Sequence, residues 1–272
     1  MKWAARIFLF FLCALAVAPL AWYGVSSLKS AAELARIPPT FVPAQIHPEH
    51  YADLFLRRPF GTYYVNSIVI ASLAALVCVV CASLAAYPLA RAPRRFRLTV
   101  SYALLVLAFF PPIVLLFPVY ELVRLAGLVN HPWGLVIPYA ALNLPFAVWL
   151  LTGYMEQIPY ELEEAAAIDG LSALETYRKI IMPLAMPAWT TAFLLVFIFS
   201  WNEFMFALTF MNLESSRTVT VGVATLSGAF AYEIPWGLLA AGIVVSTAPL
   251  IVAVAFFQKK IVSGLTAGGV KQ

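Results

Sequence analysis

The chain has 272 residues, of which 63% are hydrophobic and only 11% are charged, and its mean hydropathy is +0.89. Soluble domains carry about 25% charged residues, so this composition predicts an integral membrane protein and excludes an ordinary soluble enzyme. The net charge of +4 does not indicate binding to nucleic acid, because the basic residues stand beside apolar runs, where membrane topology accounts for them.

The first predicted element is a membrane span at 7–25. A secretory signal peptide is the alternative, because Lys2 and Arg6 form a basic start and Ala16-Val17-Ala18 resembles a cleavage site. Pro19 follows this site directly, and the apolar run is longer than the core of a signal peptide, which has about 7–15 residues. We therefore predict a retained helix.

Five further apolar segments are long enough to cross a bilayer, which takes about 20 residues. They lie at 63–89, 98–120, 133–154, 188–210 and 236–257. The loop at 26–62 contains Pro38, Pro39, Pro43 and Pro48 and is predicted to be irregular or extended. The sequence thus predicts an all-α, polytopic membrane protein in which 1–272 form a single transmembrane domain with six transmembrane helices.

The distribution of basic residues predicts the orientation of the spans. With six spans both termini lie on one side, and most of the 17 basic residues fall on that side. These are Lys2, Arg6, Arg91, Arg94, Arg95, Arg97, Arg178, Lys179, Lys259, Lys260 and Lys271. The positive-inside rule therefore places both termini, and the loop at 156–187, in the cytoplasm.

The cysteines and histidines indicate no metal or redox site. Cys78 and Cys81 form a lone C-x-x-C within a span, where small residues that pack on a helix are the expected interpretation. The histidines lie in loops without the spacing of metal ligands. We therefore predict no metal site.

The loop at 156–187, here called the bracket, is charged and is predicted to form a helix-turn-helix. Pro159 can open a helix, because its missing N–H is not needed in the first turn. Gly170 is placed to end that helix. Ser172 and Glu175 form a capping box that starts a second helix, and Pro183 ends it or bends the chain back to the membrane.

The bracket either docks onto a partner outside the membrane or lies on the bilayer surface as an amphipathic connector. The run Ala165-Ala166-Ala167 favours docking, because small side chains let a partner approach closely.

The fifth span contains the residues that most need an explanation, Trp201-Asn202-Glu203. The helix rise places Glu203 about 22 Å along this span, within a core about 30 Å thick. An ionisable group there is a functional candidate, so Glu203, Asn202 and Trp201 are expected to line a substrate pathway or, alternatively, Glu203 pairs with another element. Asn143 is a weaker pathway candidate, because Pro145 nearby leaves backbone groups that need partners.

No catalytic constellation is found in the sequence. A phosphate-binding loop of the G-x-x-x-x-G-K-[ST] type is absent, as is a nucleophile and base at a recognisable spacing. We predict that the chain is not an enzyme and that it carries no cofactor of its own.

The bracket resembles the EAA motif of ATP-binding-cassette (ABC) importer permeases. The matching residues are Glu164, Ala165, Ala166, Asp169 and Gly170, followed by Ile180 and Pro183, with Met182 in place of the usual leucine. Trp201-Asn202-Glu203-Phe204 and the tail at 258–271 also resemble the carbohydrate-type members. Nearly the whole chain is thereby similar to the maltose-transporter-like (MalG-like) family of carbohydrate permeases.

This resemblance implies partners and a mechanism. The family pairs two permeases, here this chain and a second, MalF-like subunit, with a cytoplasmic ATPase dimer below and an extracytoplasmic solute-binding protein above. ATP and magnesium are handled by the ATPase, and the EAA residues couple ATPase closure to alternating access of the spans. The resemblance thus implies import of a sugar, an oligosaccharide or a glycerol-phosphate-like solute.

Two rival interpretations remain at this point. In a secondary transporter Glu203 would titrate and an ion would drive uptake, although the sequence shows none of the inverted repeats common in such folds. In a membrane scaffold or sensor subunit the docking loop would be explained, but Asn202 and Glu203 would not.

Overall fold

The computed structural model of the chain describes residues 2–226 and 234–267 and is helical, with no β-strand among the described residues. Part of the carbohydrate-type tail, at 268–271, lies outside the described residues. The α-helices are α1 (Lys2–Ser26), α2 (Ala31–Leu34), α3 (Glu49–Ala52), α4 (Phe60–Arg91), α5 (Arg94–Ala108), α6 (Leu116–Leu125), α7 (Trp133–Met155), α8 (Glu161–Ile168), α9 (Ala173–Thr176), α10 (Met182–Leu184), α11 (Met186–Asn202), α12 (Met205–Phe210), α13 (Val219–Ala224) and α14 (Trp236–Ala267). Short π-helices lie at Asp53–Arg57 and Tyr177–Ile181, and 3-10 turns lie at Pro112–Leu115 and Glu214–Ser216. The predicted all-α class is confirmed.

The described residues form two compact units. The first lies within Met1–Val65 and Arg217–Pro249, and the second lies within Asn66–Ser216 and Leu250–Gln272. The second unit contains the bracket and the candidate pathway residues. The sequence-based description of 1–272 as a single domain stays a prediction.

Within the described parts of the chain, four helices are long and apolar enough to cross a membrane, namely α1, α4, α7 and α14. Two bent pairs raise this number to six if each pair is one span. One pair joins α5 to Pro112–Leu125 at 79°, and the other joins Ala173–Leu184 to α11 at 75°. The structure therefore supports four to six spans, and the helix bounds differ from the predicted ones most at the two bent pairs.

The segment predicted as one span at 98–120 is broken. The helix α5 ends at Ala108, and α6 begins only at Leu116. Pro111 and Pro112 cause this break, because neither can donate the N–H that would continue the α-helical ladder. The span predicted at 98–120 therefore consists of two helices joined at a bend and stays a prediction, because the pair counts as one broken span if it crosses the membrane together.

The segment predicted as one span at 188–210 is also interrupted. Its helix α11 begins at Met186 and ends at Asn202, and α12 follows from Met205 after an extended residue, Glu203 (φ −68°, ψ 132°). The chain enters α11 through a bend at Ala185 rather than at Pro183 itself. Pro187 lacks the N–H that would bond to the carbonyl of Pro183, so the two prolines together interrupt the helix at this point.

The second unit has a core built from small side chains. Alanines recur along the buried face of α4 and belong to one cluster with buried residues of α7 and α11. The buried residues include Ala75, Ala82, Ala86, Ala147, Leu151, Ala188 and Ala192. Cys78 is buried in the same layer, which fits the expected packing role, whereas Cys81 is exposed, and both are free thiols. This core fixes the ends of α4 and α7 next to the bracket.

The loop at 26–62, in the first unit, is more ordered than predicted. It contains α2 and α3, and Ser30 caps α2 through the N–H of Glu33. The carboxylate of Glu33 accepts bonds from the Thr40 hydroxyl at 2.7 Å and from the Ala44 N–H, which hold its pKa below the ordinary value. Lys29, also buried, donates to the carbonyl of Thr40. The bonds of the buried Glu33 and Lys29 thus order part of this loop, which was predicted to be irregular or extended.

Candidate functional site

The first bracket helix, α8, begins with acidic residues. Glu161, Glu163 and Glu164 lie in its first turn, where carboxylates favour the positive end of the helix dipole. The helix begins at Glu161 rather than at Pro159, because Tyr160 is its N-cap. The predicted first helix of the bracket is confirmed, and its first residue lies two positions after Pro159.

Gly170 ends α8 in the left-handed conformation, with φ +80°. The N–H of Leu171 bonds to the carbonyl of Ala166 at 2.9 Å, and the N–H of Gly170 bonds to that of Ala167 at 3.1 Å. This is the Schellman arrangement, in which a glycine satisfies the last carbonyls of a helix. The predicted stop at Gly170 is confirmed, and it fixes the turn between the two bracket helices.

Replacing Gly170 with alanine is expected to destabilise the bracket by about 1 kcal/mol, because an L-residue in the left-handed region costs about 1–2 kcal/mol. A new Cβ would meet nothing within 4 Å, so backbone strain is the only cost. Gly153→Ala is the matched control, since that site is also open but does not have a positive φ. Faster hydrogen exchange of α8 amides is expected in Gly170→Ala alone, and equal exchange in the two variants would contradict it.

The second bracket helix, Ala173–Leu184, starts with α9 at the capping box that the sequence predicts. The Ser172 hydroxyl accepts from the N–H of Glu175, and the Glu175 carboxylate accepts from the N–H of Ser172 at 3.0 Å. The N–H of Ser172, together with Lys179 Nζ at 3.0 Å from the carboxylate, lowers the pKa of Glu175 to about 2. The stabilisation from this lowered pKa is present above the ordinary value of 4.5 and is lost only as the pH falls towards 2.

The bracket has an inner face that packs on its own chain and an outer face that does not. The inner face contains Ala166, Thr176, Tyr177 and Ile181, all buried. On the outer face, Ile168 is 86% exposed and Leu174 is 60% exposed. Two large apolar side chains next to a rigid glycine turn form a surface suited to burial against a partner.

The predicted coupling residues divide between these two faces. Glu164, Ala165, Asp169, Gly170 and Pro183 are exposed. Ala166 is only 2% exposed and Ile180 is half-buried, so these two are placed to hold the bracket rather than to meet a partner. Two apolar contact candidates that the motif does not include, Ile168 and Leu174, are supplied by the geometry.

An ion pair that the sequence did not predict fastens the bracket to α4. Arg91 Nε lies 2.6 Å from Glu163 Oε1, with side-chain exposures of 19% and 12%. The same guanidinium donates to the carbonyls of Met155 and Ile158 at 3.2 Å each. Arg91 was interpreted as a topology marker, and its partner lies 72 positions away in the sequence, so no local pattern could reveal the pair.

Glu203 occupies the break between α11 and α12. Its carboxylate accepts from the Tyr139 hydroxyl at 2.5 Å, from the N–H of Phe206 at 2.9 Å and from the N–H of Ala207 at 3.1 Å. These bonds satisfy donors at the start of α12 that have no helical partner. The structural pairing expected as one alternative for Glu203 is therefore present, and Tyr139 on α7 is a site residue that sequence reasoning missed.

The other pathway candidates lie close by but differ in exposure. Trp201 is buried and stacks on Phe197 with ring centroids 5.7 Å apart. Asn202 is exposed, and its Nδ2 donates to the carbonyl of Ile198 at 2.8 Å. Asn143 Nδ2 donates to the carbonyl of Tyr139 at 2.8 Å, so Tyr139 joins Asn143 and Glu203. Lining of a pathway by any of the four stays a prediction.

Comparison with known proteins decides the family. The model of the "Binding-protein-dependent transport system inner membrane component" family matches residues 78–266. The chain belongs to this family. It is thus a membrane component of a transport system that depends on a binding protein, rather than an enzyme.

Individual members of the family are similar over most of the chain. The sulfoquinovosyl glycerol transport system permease protein SmoH of Agrobacterium fabrum is 36% identical, over 93% of this chain and 88% of that protein. The trehalose/maltose transport system permease protein MalG of Thermococcus litoralis is 46% identical, over 78% of this chain and 76% of that protein. The resemblance stated from the EAA motif is confirmed at the level of the ABC permease family.

A solved structure shares the fold of this permease. In the crystal structure of a bacterial ABC transporter involved in alginate import, one chain aligns with a TM-score of 0.79 and 24% identity. The alignment covers 95% of each chain. The helical fold described above is therefore shared with a chain of that transporter.

Proposed function

We propose that this chain is a permease subunit of a carbohydrate ABC importer and that its bracket is the docking site of a cytoplasmic ATPase. The chain pairs with a second, MalF-like permease, and a solute-binding protein delivers the sugar from outside the cell. ATP and magnesium are bound by the partner ATPase. The excess of basic residues on one side supports a topology with both termini and the bracket in the cytoplasm.

The observation that carries this proposal is the outer face of the bracket. Ile168 and Leu174 are exposed, yet the helices beneath them are held by a Schellman turn and a capping box. A mere connector on the bilayer has no need for a turn fixed in this way. Two exposed apolar side chains beside small residues are suited to burial against a protein partner.

The chemical class of the substrate is inferred from the relatives. SmoH is named for sulfoquinovosyl glycerol, MalG for trehalose and maltose, and SugB of Mycobacterium tuberculosis, 36% identical, for trehalose. All three solutes carry several hydroxyl groups. The proposed substrate is therefore a sugar or an oligosaccharide.

Of the four pathway candidates, Asn202 is best placed to contact a substrate. It is exposed beside the break between α11 and α12, and discontinuous membrane helices are a common setting for transported ligands. Trp201 supports the helix by packing, and Glu203 positions the break. Asn143 bonds to the carbonyl of Tyr139 and so supports the part of α7 that contacts Glu203. The three bonds that Glu203 accepts favour a structural role at the break over the role proposed for it in a secondary transporter.

Purification of the chain from its native membrane in mild detergent tests the proposal. We expect an ATPase and a second permease to copurify, and we expect proteoliposomes containing the complex and its binding protein to accumulate a labelled disaccharide only with ATP. Uptake that continues without any ATPase would instead indicate a secondary transporter. A complex that contains the ATPase but transports no sugar would contradict the substrate class alone.

A further inference from the structure

Three residues of α4 form a polar stripe beneath the bracket. Ser83, Tyr87 and Arg91 are spaced four positions apart, so their side chains lie on one face of the helix along about 12 Å of its length. Every residue of this stripe is bonded to the bracket. Neither the motif nor the family membership assigns these three residues a role.

The end of the stripe nearest the N-terminus of α4, at Ser83, contacts the second bracket helix. The Ser83 hydroxyl, fully buried, lies 2.7 Å from the hydroxyl of Tyr177 in that helix. It also accepts from Trp189 Nε1 at 2.7 Å, and Trp189 lies in the first turn of α11. One hydroxyl thus joins α4, the second bracket helix and α11.

The middle of the stripe contacts both bracket helices at once. The Tyr87 hydroxyl donates to Glu163 Oε2 in α8 at 2.8 Å. The Tyr87 ring also packs against Tyr177 with centroids 5.4 Å apart. A single side chain therefore ties α8 to the second bracket helix through α4.

The end of the stripe nearest the C-terminus of α4 is Arg91, which forms an ion pair with Glu163. Arg91 bonds to Glu163 and to the carbonyls of Met155 and Ile158, which lie at the end of α7 and in the approach to α8. Charge-assisted bonds of this kind are about twice as strong as neutral ones. Low exposure on both sides of the pair protects it from screening by solvent.

We propose that Ser83, Tyr87 and Arg91 are positioning residues that make α4 and the bracket one mechanical body, so that a displacement of the bracket moves α4. Both bracket helices are short, since α8 has eight residues and the second helix, which includes α9 and Tyr177, covers only Ala173–Leu184. Isolated helices shorter than about 12–15 residues are marginal in stability, so these two depend on tertiary contacts to hold their place. Without the stripe, a force on the outer face would tilt the bracket instead of moving the spans. This inference rests on the proposed docking of an ATPase.

The test uses the intact transport complex in proteoliposomes and the double variant Tyr87→Phe/Arg91→Gln. We expect the ATPase to copurify and ATP hydrolysis to persist, while sugar transported per ATP falls about tenfold, within the roughly 5–150-fold range of coupling between sites. Tyr87→Phe alone removes one oxygen atom, so it keeps the test valid if the double variant fails to insert. It is expected to shift the ratio in the same direction by a smaller factor.

Arg97→Gln is the matched control. Arg97 makes an ion pair of equal length, 2.6 Å, with Glu156, which is the C-cap of α7 and the first residue of the bracket, but it bonds to neither of the two bracket helices. Its coupling ratio is expected to stay within twofold of the original. Arg91→Lys keeps the charge that faces Glu163 and is expected to restore part of the lost coupling.

Hydrogen exchange separates failure of this inference from failure of the proposed function. Amides of α8 and α9 are expected to exchange faster in the double variant than in Arg97→Gln, whether or not an ATPase is present. Absence of an ATPase from the unmodified complex would overturn the proposed function. The exchange rates of the α8 and α9 amides would then still test whether the stripe holds the bracket against α4. Unchanged transport per ATP or unchanged exchange in the double variant would overturn the stripe.

Discussion

Replacing Ile168 and Leu174 with aspartate is expected to remove the ATPase from the purified complex while the chain still inserts in the membrane. Both side chains are mostly exposed in the chain alone, so the substitutions disturb no internal packing. Burial of one such side chain at an interface contributes about 1.5–3 kcal/mol, and an unpaired carboxylate placed there adds a desolvation cost. A loss of at least about 3 kcal/mol corresponds to roughly a hundredfold weaker binding.

The measurement is the amount of ATPase retained per chain after purification at several concentrations of detergent-solubilised complex. Ile46→Asp is the control, because Ile46 is 70% exposed and lies in the loop at 26–62, on the side predicted to face away from the cytoplasm. Retention is expected to be normal in this control. Normal retention in the Ile168 and Leu174 variant would show that the ATPase binds elsewhere.

Adding bulk to the same surface gives an independent version of this experiment. Ala165 is exposed, so Ala165→Trp leaves the chain's own packing intact and obstructs only a partner. Ala166 is buried in the chain, so tryptophan at that position would disturb the bracket itself and would not test docking. Loss of the ATPase in Ala165→Trp, together with normal membrane insertion, is the expected result.

The points where the bracket helices start and stop were predictable from the sequence, whereas the contacts that hold the bracket against α4 were not. A capping box and a glycine stop act within four residues, so Ser172, Glu175 and Gly170 could be assigned without any tertiary information. The bond between Arg91 and Glu163 depends on how α4 and α8 are placed, and no sequence period relates positions 72 residues apart. The sequence could name the candidate surface but not the contacts that hold it in place.

The breaks in the membrane helices show a second limit of the sequence. Apolar periodicity reports that a segment is buried in lipid or protein, but a continuous apolar run does not guarantee a continuous helix. Pro111-Pro112 is a visible break signal within the span predicted at 98–120. At Glu203 the signal is subtler, because the side chain that was expected to line a pathway is the one that caps the next helix.

Glu203→Leu is expected to destabilise the chain by at least about 2 kcal/mol. The substitution removes the acceptor of the Phe206 and Ala207 N–H groups and of the Tyr139 hydroxyl. Phe206 and Ala207 are both buried, and an unsatisfied buried donor costs about 1–3 kcal/mol. Thermal unfolding of the detergent-solubilised complex measures this loss.

Asn202→Leu is the matched control at the adjacent position and separates a structural role from a pathway role. Asn202 is exposed, and its Nδ2 bonds to a carbonyl of its own helix, so the thermal stability of this variant is expected to be nearly normal. If Asn202 contacts the sugar, the variant raises the sugar concentration needed for half-maximal uptake. Tyr139→Phe, which removes one donor to Glu203, is expected to fall between the two in stability. A Glu203→Leu variant with normal stability and a changed sugar affinity would reverse the assignment, because the carboxylate would then serve the substrate rather than the start of α12.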